Sequence, residues 1–184
     1  MRTFIAIELP DAFAREVEAL SRSLERAVNG RFVPGENHHI TLAFLGDIID
    51  AETTRAIDAL EAACENTPPL ALKPDGLGKF GRSNDATLFL SLAATPDLTA
   101  LAQRLRNELA ARDLPFDSKA FRPHITLSRH TQLTRGTLPN LPFPFGDTAQ
   151  HITLFKSTLH PEGAQYKPLY TVKLPVEQGI SPSQ

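Results

Sequence analysis

The tetrapeptide His-Ile-Thr-Leu occurs three times in 184 residues, at 39–42, 124–127 and 151–154. Ile and Thr are β-branched and favour strands, and side chains on a strand alternate between its two faces. Each copy therefore sets an imidazole and a hydroxyl on one face and two aliphatic groups on the other. A chain carrying three such segments must build sheets whose aliphatic side is covered. What the polar side meets is then a question about function.

The rest of the chain supplies the cover. The stretch 3–10, TFIAIELP, reads as a strand ended by Pro10. Asp11 is expected to cap a helix with Phe13, Val17, Leu20, Leu24 and Val28 at helical spacing, stopped by Asn29-Gly30. The first HITL strand ends at Gly46, and Asp50 is expected to cap a second helix with Ile57, Leu60 and Cys64 on one face. LALKPDGL and ATLFLSLA read as strands separated by a GKFGRSND loop. Thr95-Pro96 has the N-cap and first-turn chemistry of a third helix, with a Leu98, Leu101, Leu105, Leu109 stripe. The second HITL strand, a proline-rich connection (LPNLPFPFG), the third HITL strand and YKPLYTVKLP follow, and the polar tail 176–184 reads as frayed.

This order predicts an α+β fold with three helices. His39 and His124 lie 85 positions apart, each after a helix and a loop, so an internal duplication into two similar lobes is expected. No glycine-rich nucleotide loop follows a strand, and GLGKFG lacks the partner residues of one.

Composition limits the function classes. The net charge is −2 and the pI about 6.3, without the basic excess of a protein that grips long nucleic acid. Any nucleic-acid role should involve a short stretch or a terminus in a local pocket. The single cysteine excludes an internal disulfide and reads as a small buried hydrophobe. The N-terminal segment lacks a signal-peptide core, and no segment reaches the ~20 apolar residues of a membrane span. A cytoplasmic protein is expected.

Two facing strands of this kind would bring two imidazoles and two hydroxyls around one ligand: His39 and Thr41 from one, His124 and Thr126 from the other. Imidazole titrates near neutrality, so one can act as base while the other acts as acid. Hydroxyls can steady the non-bridging oxygens of a phosphoryl group in its transition state. That set suits in-line phosphodiester chemistry without a metal, and the His-x-Thr spacing lacks a third ligand for zinc. From the residues alone two readings stand: one shared site, or two ordinary strands.

The flanks add a resemblance. ENHHITLAFLG is similar to the NLHLTLxFLG element, and RPHITLSR to the PHITLxR element, of the two-histidine phosphoesterases. RTFIAIELP near the start and STLHPEGAQYKPLYTVKL near the end resemble their branch of RNA 2',3'-cyclic phosphodiesterases, historically called 2'-5' RNA ligases. The resemblance covers nearly the whole chain in order. It implies one bilobal domain over 1–184, with two antiparallel sheets, helices on their outer faces and a central cleft.

It also implies metal-independent opening of a terminal 2',3'-cyclic phosphate to a 2'-phosphate, with no cofactor. His39 would be the proton donor and His124 the acceptor, an assignment the spacing leaves symmetric. Thr41 and Thr126 would hold the phosphate, Phe44 would stack on a base and Arg129 would lie nearby. Strict alternation instead sends Phe44 to the core and Arg129 away from the histidines, unless a bulge re-aims them. The implied partner is an RNA 3' terminus or a small cyclic nucleotide, met by a monomer. Ligation of RNA halves, and a non-catalytic RNA-end module, are the alternative activities. Two departures stand out. His38 fills a usually aliphatic slot and should pack between lobes or be partly exposed, and GRSNDATLFL, despite its Arg82, lacks the arginine and the tryptophan often seen in that strand. His130 and His160 read as surface residues, and His151 as a bystander, because its copy has neither set of flanks.

Overall fold

A computed structural model describes residues 1–175; the tail 176–184, with its expected fraying, lies outside the described residues. The elements run β1 (Arg2–Glu8), α1 (Asp11–Ala27), β2 (Asn29–Phe32), β3 (His39–Asp47) and α2 (Asp50–Cys64), then β4 (Leu70–Leu72), β5 (Pro74–Arg82) and β6 (Asp85–Leu92). After these come α3 (Pro96–Ala111), β7 (His124–Gln132), β8 (Asp147–Ala149), β9 (His151–His160) and β10 (Gly163–Lys173).

Two four-stranded antiparallel sheets dominate, in the orders β10-β9-β1-β3 and β2-β7-β6-β5, with a small β4-β8 ladder beside them. The expected α+β class with three helices is what forms. The chain passes repeatedly between the sheets: β1 and β3 lie in one while β2, between them in sequence, lies in the other. The sheets share one core, which includes Ile5, Ile40, Leu60, Leu105, Ile125 and Ile152. Helix α1 lies beside β2, while α2 and α3 pack on each other, α2 covering β9 and β10 and α3 covering β3 and β4. The first and second HITL strands touch where the sheets meet.

The stripes are buried from Phe13 to Leu24 in α1 and from Leu98 to Leu109 in α3, while Val28 lies beyond α1 and, like Ile57 of α2, is only half-buried. The Thr95 hydroxyl accepts the Leu98 N–H at 3.3 Å as the cap of α3. Asp11 and Asp50 are not caps. The helices begin on them, with Pro10 and Ile49 in the capping positions. The Glu52 carboxylate accepts the Ile49 N–H at 2.9 Å, and both acidic groups favour the positive end of the helix dipole. Asn29-Gly30 does not merely stop α1; it opens β2, because Val28 is already extended (φ −139°).

The GKFGRSND loop is mostly strand. GKFGR belongs to β5 and only Ser83-Asn84 form the turn into β6, so this hairpin is longer than its glycines suggest. One of those glycines is explained by packing. A Cβ at Gly78 would lie 2.4 Å from Cε2 of Phe89 on the facing strand. LALKPDGL breaks at Lys73 into β4 and β5, and the proline-rich connection leads into the unforeseen β8.

Gly78→Ala should force the Phe89 ring aside. We expect an overpacking cost of about 1–3 kcal/mol, or a fall in Tm of several degrees by thermal denaturation. Gly76→Ala offers a spatial control, since nothing lies within 4 Å of its Cβ direction, though its φ of +98° adds backbone strain.

Candidate active site

One cleft of about 740 Å³ opens between the sheets, and His39, Thr41, His124 and Thr126 all line it. The alternation read from sequence holds on both strands: Ile40, Leu42, Ile125 and Leu127 are buried on the core side. Beyond the threonines, the alternation breaks at the same place in each strand.

In β3 the pairing with β1 skips Leu42, so Leu42 and Ala43 both face the core and Phe44 returns to the cleft. In β7 the pairing with β6 skips Leu127, so Leu127 and Ser128 both face the core and Arg129 returns to the cleft. Phe44 and Arg129 each stand five residues after their histidine. Strict alternation was the wrong guide for both, and the bulge is the reason. Phe44 is half-buried, with the Arg2 guanidinium 5.1 Å from its ring centre.

The imidazoles are held alike. His39 Nδ1–H donates to the Asn37 carbonyl at 2.7 Å, and His124 Nδ1–H to the Arg122 carbonyl at 2.6 Å. A carbonyl can only accept, so these contacts fix the proton on Nδ1 and leave Nε2 available. His39 Nε2 accepts the Thr41 hydroxyl at 2.9 Å.

Two aromatic rings flank each imidazole. Phe4 and Tyr166 stand 4.9 and 5.4 Å from His39, and Phe89 and Phe80 stand 5.2 and 5.4 Å from His124. These neighbours escaped sequence reading because they come from β1, β10, β5 and β6, and only the pairing register brings them alongside. Phe89 lies in the GRSNDATLFL stretch and Phe80 immediately precedes it. Tyr166 lay within the motif quoted from the C-terminal part, but nothing in its spacing pointed to His39.

Burial pushes the His39 pKa down to about 4, the Asn37 carbonyl opposing and the nearby His124, His38 and Arg129 reinforcing the fall. His39 is thus neutral at pH 7 in the free protein. Burial raises the Tyr166 pKa, so its phenol stays a donor.

The remaining histidines stand apart from this pair. His38 is buried beside α1, its pKa lowered by burial against the opposing pull of Glu18 and of the Val33 backbone. It packs between elements rather than facing the cleft. His151 is exposed at the start of β9, opposite Lys173 and outside the cleft lining, as a bystander should be. His130 is exposed beside Asp85; His160 is exposed too but reaches the cleft rim. Cys64 is buried and its thiol is pushed up to about 11 by desolvation, which suits a small hydrophobe. Among the described residues no three His, Cys, Asp or Glu side chains converge as a metal cage, and no helix is long and apolar enough to cross a membrane.

Comparison with known proteins agrees with this fold. A sequence model of the 2'-5' RNA ligase superfamily matches residues 9–137. The RNA 2',3'-cyclic phosphodiesterase of Thermotoga maritima is 31% identical over 92% of this chain and 94% of its own length. That of Aquifex aeolicus is 30% identical over 94% of each. Among solved structures, Escherichia coli LigT complexed with 3'-AMP is 27% identical with a TM-score of 0.73, covering 96% of this chain and 98% of its own. Thermus thermophilus TT0787 is 26% identical with a TM-score of 0.79, covering 97% and 100%. The chain belongs to the 2'-5' RNA ligase superfamily.

The low His39 pKa has a measurable consequence. The unfolded imidazole takes its proton near 6.5 and the folded one only near 4. The stabilisation is therefore complete above about pH 6.5 and is lost as pH falls toward 4, with His38 contributing in the same direction. Denaturant unfolding at pH 7.5 and 5 should show this decline, and His39→Asn should make it shallower. Imidazole NMR of the free protein should place the His39 midpoint near 4.

Proposed function

We propose that this chain is a metal-independent RNA 2',3'-cyclic phosphodiesterase that opens the terminal cyclic phosphate to a 2'-phosphate. The observation that carries the reading is the pair of strands bulged at the same offset, whose imidazoles are both tethered through Nδ1 and line one cleft together with two hydroxyls. Family membership and the relatives named RNA 2',3'-cyclic phosphodiesterase support it. Both imidazoles come from one chain on strands that touch, so a single copy, acting as one bilobal domain, holds the whole site.

His124 Nε2 takes a proton from water as the water oxygen attacks phosphorus. The P–O3' bond opens in line, and His39 gives its proton to the departing O3'. Thr41, Thr126 and Arg129 hold the non-bridging oxygens as charge builds on them. The products are a 2'-phosphate and a free 3'-hydroxyl. Phe44 offers its ring to the terminal base.

The neutrality of free His39 bears on the order of events. An acid at that position needs its proton before the bond opens, and a buried imidazole gains one readily only beside a negative charge. The phosphate monoanion supplies that charge. As His39 is protonated, Nε2 becomes a donor and can no longer accept from Thr41. The Thr41 hydroxyl is then released to the phosphate oxygens. Substrate binding and proton uptake are therefore linked.

The reverse reaction, joining RNA halves through a 2'-5' bond, would use the same pair by microscopic reversibility. A module that only binds RNA ends would not need both imidazoles in matching tautomers.

The test is an oligonucleotide with a 2',3'-cyclic end, incubated with EDTA, with the product phosphate located by 31P NMR. Rapid turnover to the 2'-phosphate is expected. His39→Ala and His124→Ala should each lose ~10²–10⁴-fold, the usual worth of a positioned acid or base. His151→Ala should stay within twofold of wild type. Unimpaired turnover in either cleft-histidine variant, or a requirement for added metal, would refute the reading.

A further inference from the structure

Arg31 of β2 lies directly opposite Arg129 of β7. Cross-strand partners share a face with their Cβ atoms about 5 Å apart, and like charges in that position repel. Both arginines line the cleft, and Arg2 joins them from β1. Among the described residues none of the three forms an ion pair, and Glu162 faces the same cleft at its rim without reaching them. A chain with net charge −2 has thus gathered three uncompensated guanidinium groups in one place. Arg129 is accounted for by the scissile phosphate. Its neighbour on β2 is not.

We propose that Arg31 forms a second phosphate subsite, which binds the phosphodiester on the 5' side of the terminal nucleotide. The substrate class is then an oligonucleotide end, or a nucleotide bearing a 5'-phosphate, rather than a bare cyclic mononucleotide. This rests on the function proposed above and adds to it a residue and a specificity.

The placement fits. Arg129 stands three residues beyond Thr126, but the bulge at Leu127-Ser128 shortens the advance along β7 to about two steps of ~3.3 Å, and Arg31 is one strand further across. A ribose and its 5' phosphodiester can bridge from the histidine pair to that point. An anion held by Arg31 offsets its repulsion with Arg129 by a charge-assisted contact, and the planar guanidinium suits phosphate oxygens. The overall charge does not contradict such a site, because the cleft concentrates positive potential locally.

Three substrates separate the contributions: a nucleoside 2',3'-cyclic phosphate, its 5'-phosphorylated form, and a trinucleotide with a cyclic end. Wild type should prefer the 5'-phosphorylated form over the bare one by about tenfold or more in kcat/KM, chiefly through KM, the scale of one charge-assisted contact. Arg31→Gln should erase most of that preference while the bare cyclic nucleotide is turned over within twofold of wild type. Arg31→Lys, which keeps the charge, should retain part of it. For the trinucleotide, the log–log slope of affinity against salt should become shallower by about 0.7 in Arg31→Gln, as for one lost phosphate contact.

Wild-type indifference to the 5'-phosphate would overturn the subsite, as would an equal loss on all three substrates in Arg31→Gln. Either result would leave the cyclic phosphodiesterase reading intact. Failure of wild type to open any cyclic end would instead remove that reading, and the subsite with it.

Discussion

The site depends on one irregularity used twice. A regular strand cannot present residues at offsets 0, 2 and 5 on the same face, because the fifth falls on the other side. The bulges at Leu42-Ala43 and Leu127-Ser128 each spend one extra residue in the core and bring offset five back into the cleft. His39, Thr41 and Phe44 share a face for that reason, and so do His124, Thr126 and Arg129. The core fixes the register around this defect. A one-residue slip of β3 would expose Ile40 and Leu42, at about 2 kcal/mol each, and bury an imidazole in their place. Each bulge is also tied from outside: the Val33 N–H bonds the Leu127 carbonyl at 2.9 Å, and the Asp117 N–H bonds the Phe44 carbonyl at 2.8 Å.

Within this frame the two sheets differ electrostatically. The lobes keep the same imidazole tether and the same pattern of two flanking aromatics. What differs is the residue returned by the bulge, an aromatic in one sheet and a cation in the other. Phe44 faces the cleft where a base can stack, and Arg129 faces it where an anion can be held. The aromatic enclosure of His39 makes its charged form costly in the free protein. In the proposed reaction the arginines would act oppositely on the ligand, drawing in the anion that makes a charged His39 tolerable. Under the proposed chemistry, desolvation and anion binding would form one coupled device that makes the acid available when its substrate is present.

Much of this was legible in the sequence, and the exceptions share a cause. Period-2 alternation located His39, Thr41, His124 and Thr126 on one face of each strand, and the helical stripes of α1 and α3 gave the core. The flanks separated His151 from the other two copies. Phe44 and Arg129 were placed by resemblance and misplaced by alternation, because a bulge has no mark in four residues of β-formers. Phe4, Phe80, Phe89, Tyr166 and Arg31 were not singled out, since their roles depend on which strands pair and in what register. The short strands β2 and β8 lack a hydrophobic pattern of their own and pair at the edge of a neighbour, whereas β4 was part of the LALKPDGL strand read from sequence. Asp11 and Asp50 were taken for caps because Asp favours that position, yet Pro10 and Ile49 supply the extended residue there.

The central claim is that His39 and His124 act on one phosphate in one step. Comparing kcat/KM of His39→Ala, His124→Ala and the double variant on a cyclic-ended oligonucleotide tests it most directly. Groups that act as a unit lose their function together, so the double variant should be about as slow as the slower single variant. Losses that multiply, leaving the double variant slower by the product of the two single factors, would show independent contributions and contradict the account.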